Sequence, residues 1–154
     1  MIEEFISKII QNELMLPIWS SVFCGSLIGL ERELKQKDAG IKTSIFICIG
    51  AAIFTYLGSR IPGINDNSRV IAQIVSGIGF IGGGVIIYDQ DKVQGLTSAV
   101  IIWVTAAIGI LNGMGMYYEA IMATITIVVS DKLIDLLKKR LIGGRDKVEG
   151  DTDE

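Results

Sequence analysis

Charge in this chain is confined to islands, and the stretches between the islands are long enough to cross a lipid bilayer. The charged residues crowd into Glu3–Glu13, Glu31–Lys42, Arg60–Arg69, Asp89–Lys92 and the segment from Asp131 onward. Between them lie Leu14–Leu30, Thr43–Ser59, Val70–Tyr88 and Val93–Tyr118, none of which holds a group that is charged at neutral pH. A helix of about 18 apolar residues covers roughly 30 Å of hydrocarbon. These runs are apolar all round, whereas a soluble bundle would need helices with one polar face. Half of the 154 residues are hydrophobic, and the pattern predicts an all-α fold: a polytopic membrane helix bundle of about five transmembrane helices.

Residues 1–13 carry Ile2, Phe5, Ile6, Ile9 and Ile10 at helical spacing between Glu3, Glu4 and Lys8, the pattern of a short amphipathic helix at the membrane interface. The acidic start and the lack of a small-residue cleavage site argue against a secretory signal. The transmembrane bundle is expected over 14–142, with spans at 14–30, 41–59, 70–88, 95–111 and 117–135, the last continuing as a helical extension. The Pro62-Gly63 pair ends the second span. A turn is expected at Asn112, Gly113 and Gly115, and Tyr117 and Tyr118 suit an interface. Residues 143–154 are expected to form a disordered cytoplasmic tail.

Five crossings place the 31–42 loop, the 89–94 loop and the C-terminal segment on one side. That side holds eleven of the 14 lysines and arginines, the other only Lys8, Arg60 and Arg69. The positive-inside rule then puts the N-terminus outside and the C-terminus in the cytoplasm.

Several function classes are disfavoured. The net charge of −3 and the lack of a basic stripe with interleaved aromatics exclude a nucleic-acid partner. There is no histidine, and no nucleophile and base stand at a recognisable spacing, so an enzyme is not expected. Cys24 and Cys48 sit inside apolar runs, at similar depth if the first two spans are antiparallel, and read as small packing residues. No cofactor is expected. Magnesium is the conceivable ion, because Glu31, Glu33, Asp38, Asp89 and Asp91 all fall on the cytoplasmic side and could supply oxygen ligands, although such acidic surfaces are usually just solvated.

Glycines carry the packing signal. Gly25 with Gly29, Gly79 with Gly83, and Gly109 with Gly113 are GxxxG pairs, the last extended backwards by Thr105; this spacing lets helix backbones approach in lipid. The run Gly77, Gly79, Gly82, Gly83 and Gly84 also matches GxGxxG, but it lies within an apolar span with no strand before it and no acidic residue about 20 positions on, so a nucleotide fingerprint is rejected. Close helix packing is the favoured reading of this run, and a locally broken helix lining a cavity is the alternative.

Polar candidates are few. Glu31 and Arg32 close the first span, Lys42 and Thr43 open the second, Arg69 and Gln73 begin the third, and Thr97, Ser98, Trp103 and Thr105 lie on the fourth. Ionisable groups near a span are functional hypotheses by default. Snorkelling is the competing role for Arg32, Lys42 and Arg69, and bonding to their own helix backbone is the favoured one for the hydroxyls. Glu31 and Arg32 are expected to pair with Lys42, Thr43 or groups of the third span.

The motif string as a whole resembles a known family. Gly25-Ser26-Leu27-Ile28-Gly29-Leu30-Glu31-Arg32-Glu33, then Ala39-Gly40-Ile41-Lys42-Thr43, then Arg69 to Gly84, then Gly95-Leu96-Thr97-Ser98-Ala99 with Trp103 to Gly109 resemble, in order and spacing, four blocks of the MgtC/SapB membrane-protein family. Lys42 and Ser44 stand where the family commonly has arginine and histidine, and Lys42 keeps the charge without the planar fork. The resemblance implies residence in a bacterial inner membrane and a link to growth under low magnesium, often in the context of host survival. It also implies an association with membrane ATP synthase. The chain looks like a short form that lacks the C-terminal cytoplasmic domain of many members. Its preferred reading is a non-enzymatic membrane regulator that forms a homo-oligomer or docks on another membrane complex through glycine faces. The alternative is a transporter or channel for Mg2+ or another cation.

Overall fold

The computed structural model describes residues 13–60, 67–89 and 92–142. The expected interfacial helix (apart from Glu13), the Pro62-Gly63 breaker and the 143–154 tail lie outside the described residues. Five helices and one hairpin make up the rest: α1 (Met15–Leu34), α2 (Ile41–Gly58), α3 (Asn67–Gly83), β1 (Ile87–Asp89), β2 (Lys92–Gln94), α4 (Leu96–Gly113) and α5 (Tyr117–Ile142).

Local chemistry sets the element ends. Pro17 falls in the first turn of α1, where its missing N–H has no helical partner to lose. After Leu34 the chain turns with Gln36 and Ala39 at positive φ. Glu33 then reaches forward, and its carboxylate accepts the Ile41 N–H at 3.0 Å, so the end of α1 caps the start of α2. The third helix was expected over 70–88 but runs Asn67–Gly83, and Ile87 and Tyr88 belong to β1 instead. Gly82, Gly83 and Gly84 remove the helical preference there, and the β-branched and aromatic residues beyond them pair as an antiparallel hairpin with Tyr88 opposite Val93. Gly95 closes the hairpin at φ +79 with the Val85 carbonyl against it, a place where a side chain cannot fit. Asn112 and Gly113, expected in a turn, complete α4, and the chain turns at Met114–Met116.

Glycine brings the helices together in two places. On α1, a side-chain carbon at Gly25 would stand 2.8 Å from the Ile45 backbone, and one at Gly29 would collide with the backbone of Ile41. On α4, Gly109 and Gly113 seat against the Cys48 and Ala52 carbonyls of α2. Small residues are what lipid-embedded helices need at such contacts, because hydrocarbon tails give no hydrophobic drive for association. One core cluster (Cys24, Ile28, Cys48, Ile108, Ala120) joins α1, α2, α4 and α5; a second (Ala51, Ile78, Ile102, Ala106, Ile110) joins α2, α3 and α4. Cys24 and Cys48 are buried, unbridged and in the same cluster, as their equal distances from the 31–40 loop predict.

The outer surface is the reverse of a water-facing one. Trp19, Phe23, Phe46, Phe54, Phe80 and Tyr118 are all more than half exposed, an apolar belt far beyond the scattered patches of soluble monomers. Helices α2 and α4 are each long and apolar enough to cross a membrane. The first half of α5 packs on the bundle through Ala120 and Thr124, whereas from Lys132 to Leu141 every side chain is exposed and the helix projects beyond its neighbours.

Candidate functional site

Charged residues far apart in sequence meet at one end of the bundle. Arg32, 1% exposed, donates from Nη2 to Ser98 Oγ at 2.7 Å, tying α1 to the first turn of α4. Its Nε points at the Asp38 carbonyl, 3.4 Å away, on the loop to α2. One turn beyond Glu31, Lys35 forms ion pairs with Glu31, Asp131 and Asp135, so a single ammonium holds α5 to α1. Burial pushes the Glu31 carboxyl above its ordinary range; a hydrogen bond with Asp131 adds to this, and Lys35 opposes it.

A carboxyl whose folded pKa is raised stabilises the fold fully below its unfolded pKa, and that contribution is lost as pH climbs through the folded value. Thermal unfolding in detergent should therefore show the wild-type midpoint falling relative to that of Glu31→Gln as pH rises above the ordinary carboxylate range. A slope identical in the variant would remove Glu31 as its source.

Glu31 and Arg32 are thus buried and partnered, but not with the residues expected of them. Lys42 and Thr43 are exposed and point away, because Glu33 rather than Lys42 occupies the helix junction. Ser98 serves as the acceptor for Arg32 instead of bonding its own helix, while Thr105 does bond its own helix, at Ile101. Thr97 and Trp103 face outward. Sequence reasoning missed Lys35, Asp131 and Asp135. Two signals were present: Glu31 and Lys35 have the i, i+4 order that favours pairing, and Asp131 and Asp135 share one helix face by the same spacing.

A second polar cluster lies near the other end. Asn112, fully buried, accepts from Ser20 at 2.7 Å and donates to Ser21 at 3.2 Å, and its amide also lies 3.8 Å from Cys48 Sγ. This ties α1, α2 and α4 by side-chain hydrogen bonds, a use of polar groups suited to lipid.

Of the carboxylates that could supply oxygen ligands to magnesium, Asp91 lies outside the described residues. Among the described residues no group of three or more metal-ligating side chains is placed to hold an ion, and the carboxylates that do converge close on the Lys35 ammonium.

Arg69 and Gln73 come together on α3, along a groove of about 1090 Å3 between α2 and α3 whose floor includes Ala106 of α4. The glycine run does not pack as favoured. Gly82 alone of that run touches a neighbouring helix, at Ala99; Gly77, Gly79 and Gly83 have nothing within 4 Å of where a side chain would begin, and Gly84 meets only carbonyls of its own turn. Nor is the helix broken within the run before Gly83.

An all-α membrane bundle, knit by glycine contacts and, at one end, by the buried Arg32–Ser98 hydrogen bond and half-buried ion pairs on Lys35, is the class of protein defined here. The chain belongs to the MgtC family, whose profile matches residues 18–140. It is 41% identical to protein MgtC of Brucella abortus (strain 2308) over 110 residues, covering 71% of this chain and 46% of that one. It is 39% identical to protein MgtC of Salmonella typhimurium (strain LT2) over 127 residues, covering 82% and 54%. An uncharacterized protein of Haemophilus influenzae is 41% identical over 125 residues, covering 75% and 52%. The chain spans about half the length of these relatives. No solved structure matches it.

Proposed function

We propose that the chain is a non-enzymatic regulator in the bacterial inner membrane, linked to magnesium homeostasis and adaptation to low magnesium. It acts by docking one bare helix face on a transmembrane partner. The observation that carries this reading is the contrast between its glycines. Gly25, Gly29, Gly109 and Gly113 are filled by backbone from within the chain, whereas Gly79 and Gly83, with Ser76 on the same side of α3, meet nothing. A small-residue face turned outward suits another helix better than it suits lipid. The partner is a second copy of the chain or, as the family resemblance implies, membrane ATP synthase. Five crossings with the N-terminus outside fit the clustering of the 31–42 loop, the start of α4 and residues 131–135 at one end of the bundle.

Two measurements test the reading. In native membranes, Ser76→Cys should cross-link under oxidation or with a short bifunctional reagent, and Gly79→Leu with Gly83→Leu should abolish the product without changing helix content. In proteoliposomes holding a Mg2+-sensitive dye, wild-type protein should give no uptake above empty vesicles. Uptake that requires the protein and falls in Glu31→Gln would replace the regulator with the alternative, a cation transporter.

A further inference from the structure

We propose that the groove between α2 and α3 is a binding site for one anionic phospholipid, with the phosphate held by Arg69 and Gln73 and an acyl chain lying between the helices. The groove is chemically polarised along its length. Arg69 and Gln73, one turn apart, lie at one end, and the walls beyond them include Phe46, Phe54, Ile74 and Ile81. Thr43, the hydroxyl residue at the far end, carries no charge. A ligand matched to this lining has a single charged end and a long apolar body. Among the described residues no carboxylate is paired with Arg69, and phosphate suits the planar fork of its guanidinium. The N-terminal end of α3 adds its positive dipole at the same level.

Length decides between a lipid chain and a partner helix. From Arg69 to Ile81 the groove follows α3 for about 18 Å of helix. One leaflet with its headgroup region is about 20–22 Å deep, whereas a crossing helix needs roughly 30 Å of apolar surface. The volume of about 1090 Å3 stands at the upper end of small-ligand sites. Its width comes from two missing side chains: Gly50 on α2 and Gly77 on α3 both line the groove, and neither has anything within 4 Å of a would-be Cβ. A zwitterionic headgroup would bring its own cation beside Arg69, so the anionic lipid is the better fit.

Native mass spectrometry of the detergent-purified chain, with phosphatidylglycerol or phosphatidylcholine added, reads this directly. Wild-type protein should retain one phosphatidylglycerol in preference to phosphatidylcholine. Arg69→Gln should lower phosphatidylglycerol retention about tenfold, to the phosphatidylcholine level, while Arg69→Lys keeps most of it. Gly50→Leu combined with Gly77→Leu fills the groove from open positions, and should lose both lipids while the unfolding temperature is unchanged. Equal retention of the two lipids by wild type, no retention of either, or retention unchanged in Arg69→Gln would each overturn the assignment. So would a dimer that the groove-filling pair dissolves while lipid retention stays as in wild type, since the occupant would then be a second copy.

Discussion

Gly29→Val should destabilise the bundle by about 3 kcal/mol or more, while Gly79→Ala should leave it unchanged or raise its stability by up to about 1 kcal/mol. Both residues belong to GxxxG pairs, so sequence spacing ranks them equally; only their surroundings differ. A side-chain carbon at Gly29 would run into the Cα and N of Ile41 and the carbonyl carbon of Gly40. Those are backbone atoms, which cannot rotate aside, so α1 and α2 must separate. Separation opens the contact at Gly25 as well, where the Ile45 backbone is nearly as close, and it displaces the Glu33 carboxylate from the Ile41 N–H. Overpacking of a tight core costs about 1–3 kcal/mol by itself, and here it also removes close contacts that lipid does not replace. At Gly79 nothing lies within 4 Å, so alanine adds only helical preference. Unfolding of the two variants in mixed detergent micelles, followed by far-UV circular dichroism, measures both effects. Equal losses would mean that the Gly79 face is also packed, and nearly equal wild-type stability would mean that α1 and α2 do not touch at Gly29.

The helical content and the number of helices were legible because hydrocarbon imposes a length and a polarity that are written into the chain as uncharged runs. Glycine spacing marked which helices approach closely at Gly25, Gly29, Gly109 and Gly113, since a small residue at i and i+4 has one physical use when a backbone faces it. The same spacing could not say whether a backbone does face it. Gly79 and Gly83 have the identical pattern with no neighbour, and that difference depends on how α3 is rotated, which one helix's sequence does not fix. Ile87 and Tyr88 of the first strand were absorbed into the third span, and the rest of the hairpin into the 89–94 loop, because apolar β-branched residues satisfy a hydropathy window as well as helical ones do.

Pairing among charges was legible only as far as helix periodicity carries it. Glu31 and Lys35 are neighbours on one helix, and so are Asp131 and Asp135, yet that the two pairs share one ammonium is a tertiary fact. For Arg32 the sequence left snorkelling at the interface in competition with pairing to Lys42, Thr43 or the third span. Arg32 is instead among the most buried side chains, because the helix junction folds over it and Ser98 is presented at the start of α4.

That burial makes Arg32 the charged side chain whose removal matters most. Arg32→Met keeps much of the volume and should still lose about 3 kcal/mol, within the range seen when one member of a buried charged network is deleted. The loss has two sources. Ser98 Oγ loses its donor at a buried position, and the part-buried Asp38 carbonyl loses a longer contact. The guanidinium also offsets the negative charge of Asp131, and without it Lys35 alone balances that carboxylate. Arg32→Lys restores the charge but cannot reach Ser98 and the 35–40 loop in two directions at once, so it should recover about half of the loss. Ser98→Ala should cost about 1–2 kcal/mol on its own by leaving an N–H unmatched. In the double variant the two losses should fall short of their sum by about 1 kcal/mol, the signature of a shared bond. Detergent unfolding curves for wild type, both single variants and the double variant supply the cycle. Strict additivity would show that Arg32 and Ser98 act separately, and a methionine variant as stable as wild type would show that the guanidinium finds water in the folded protein.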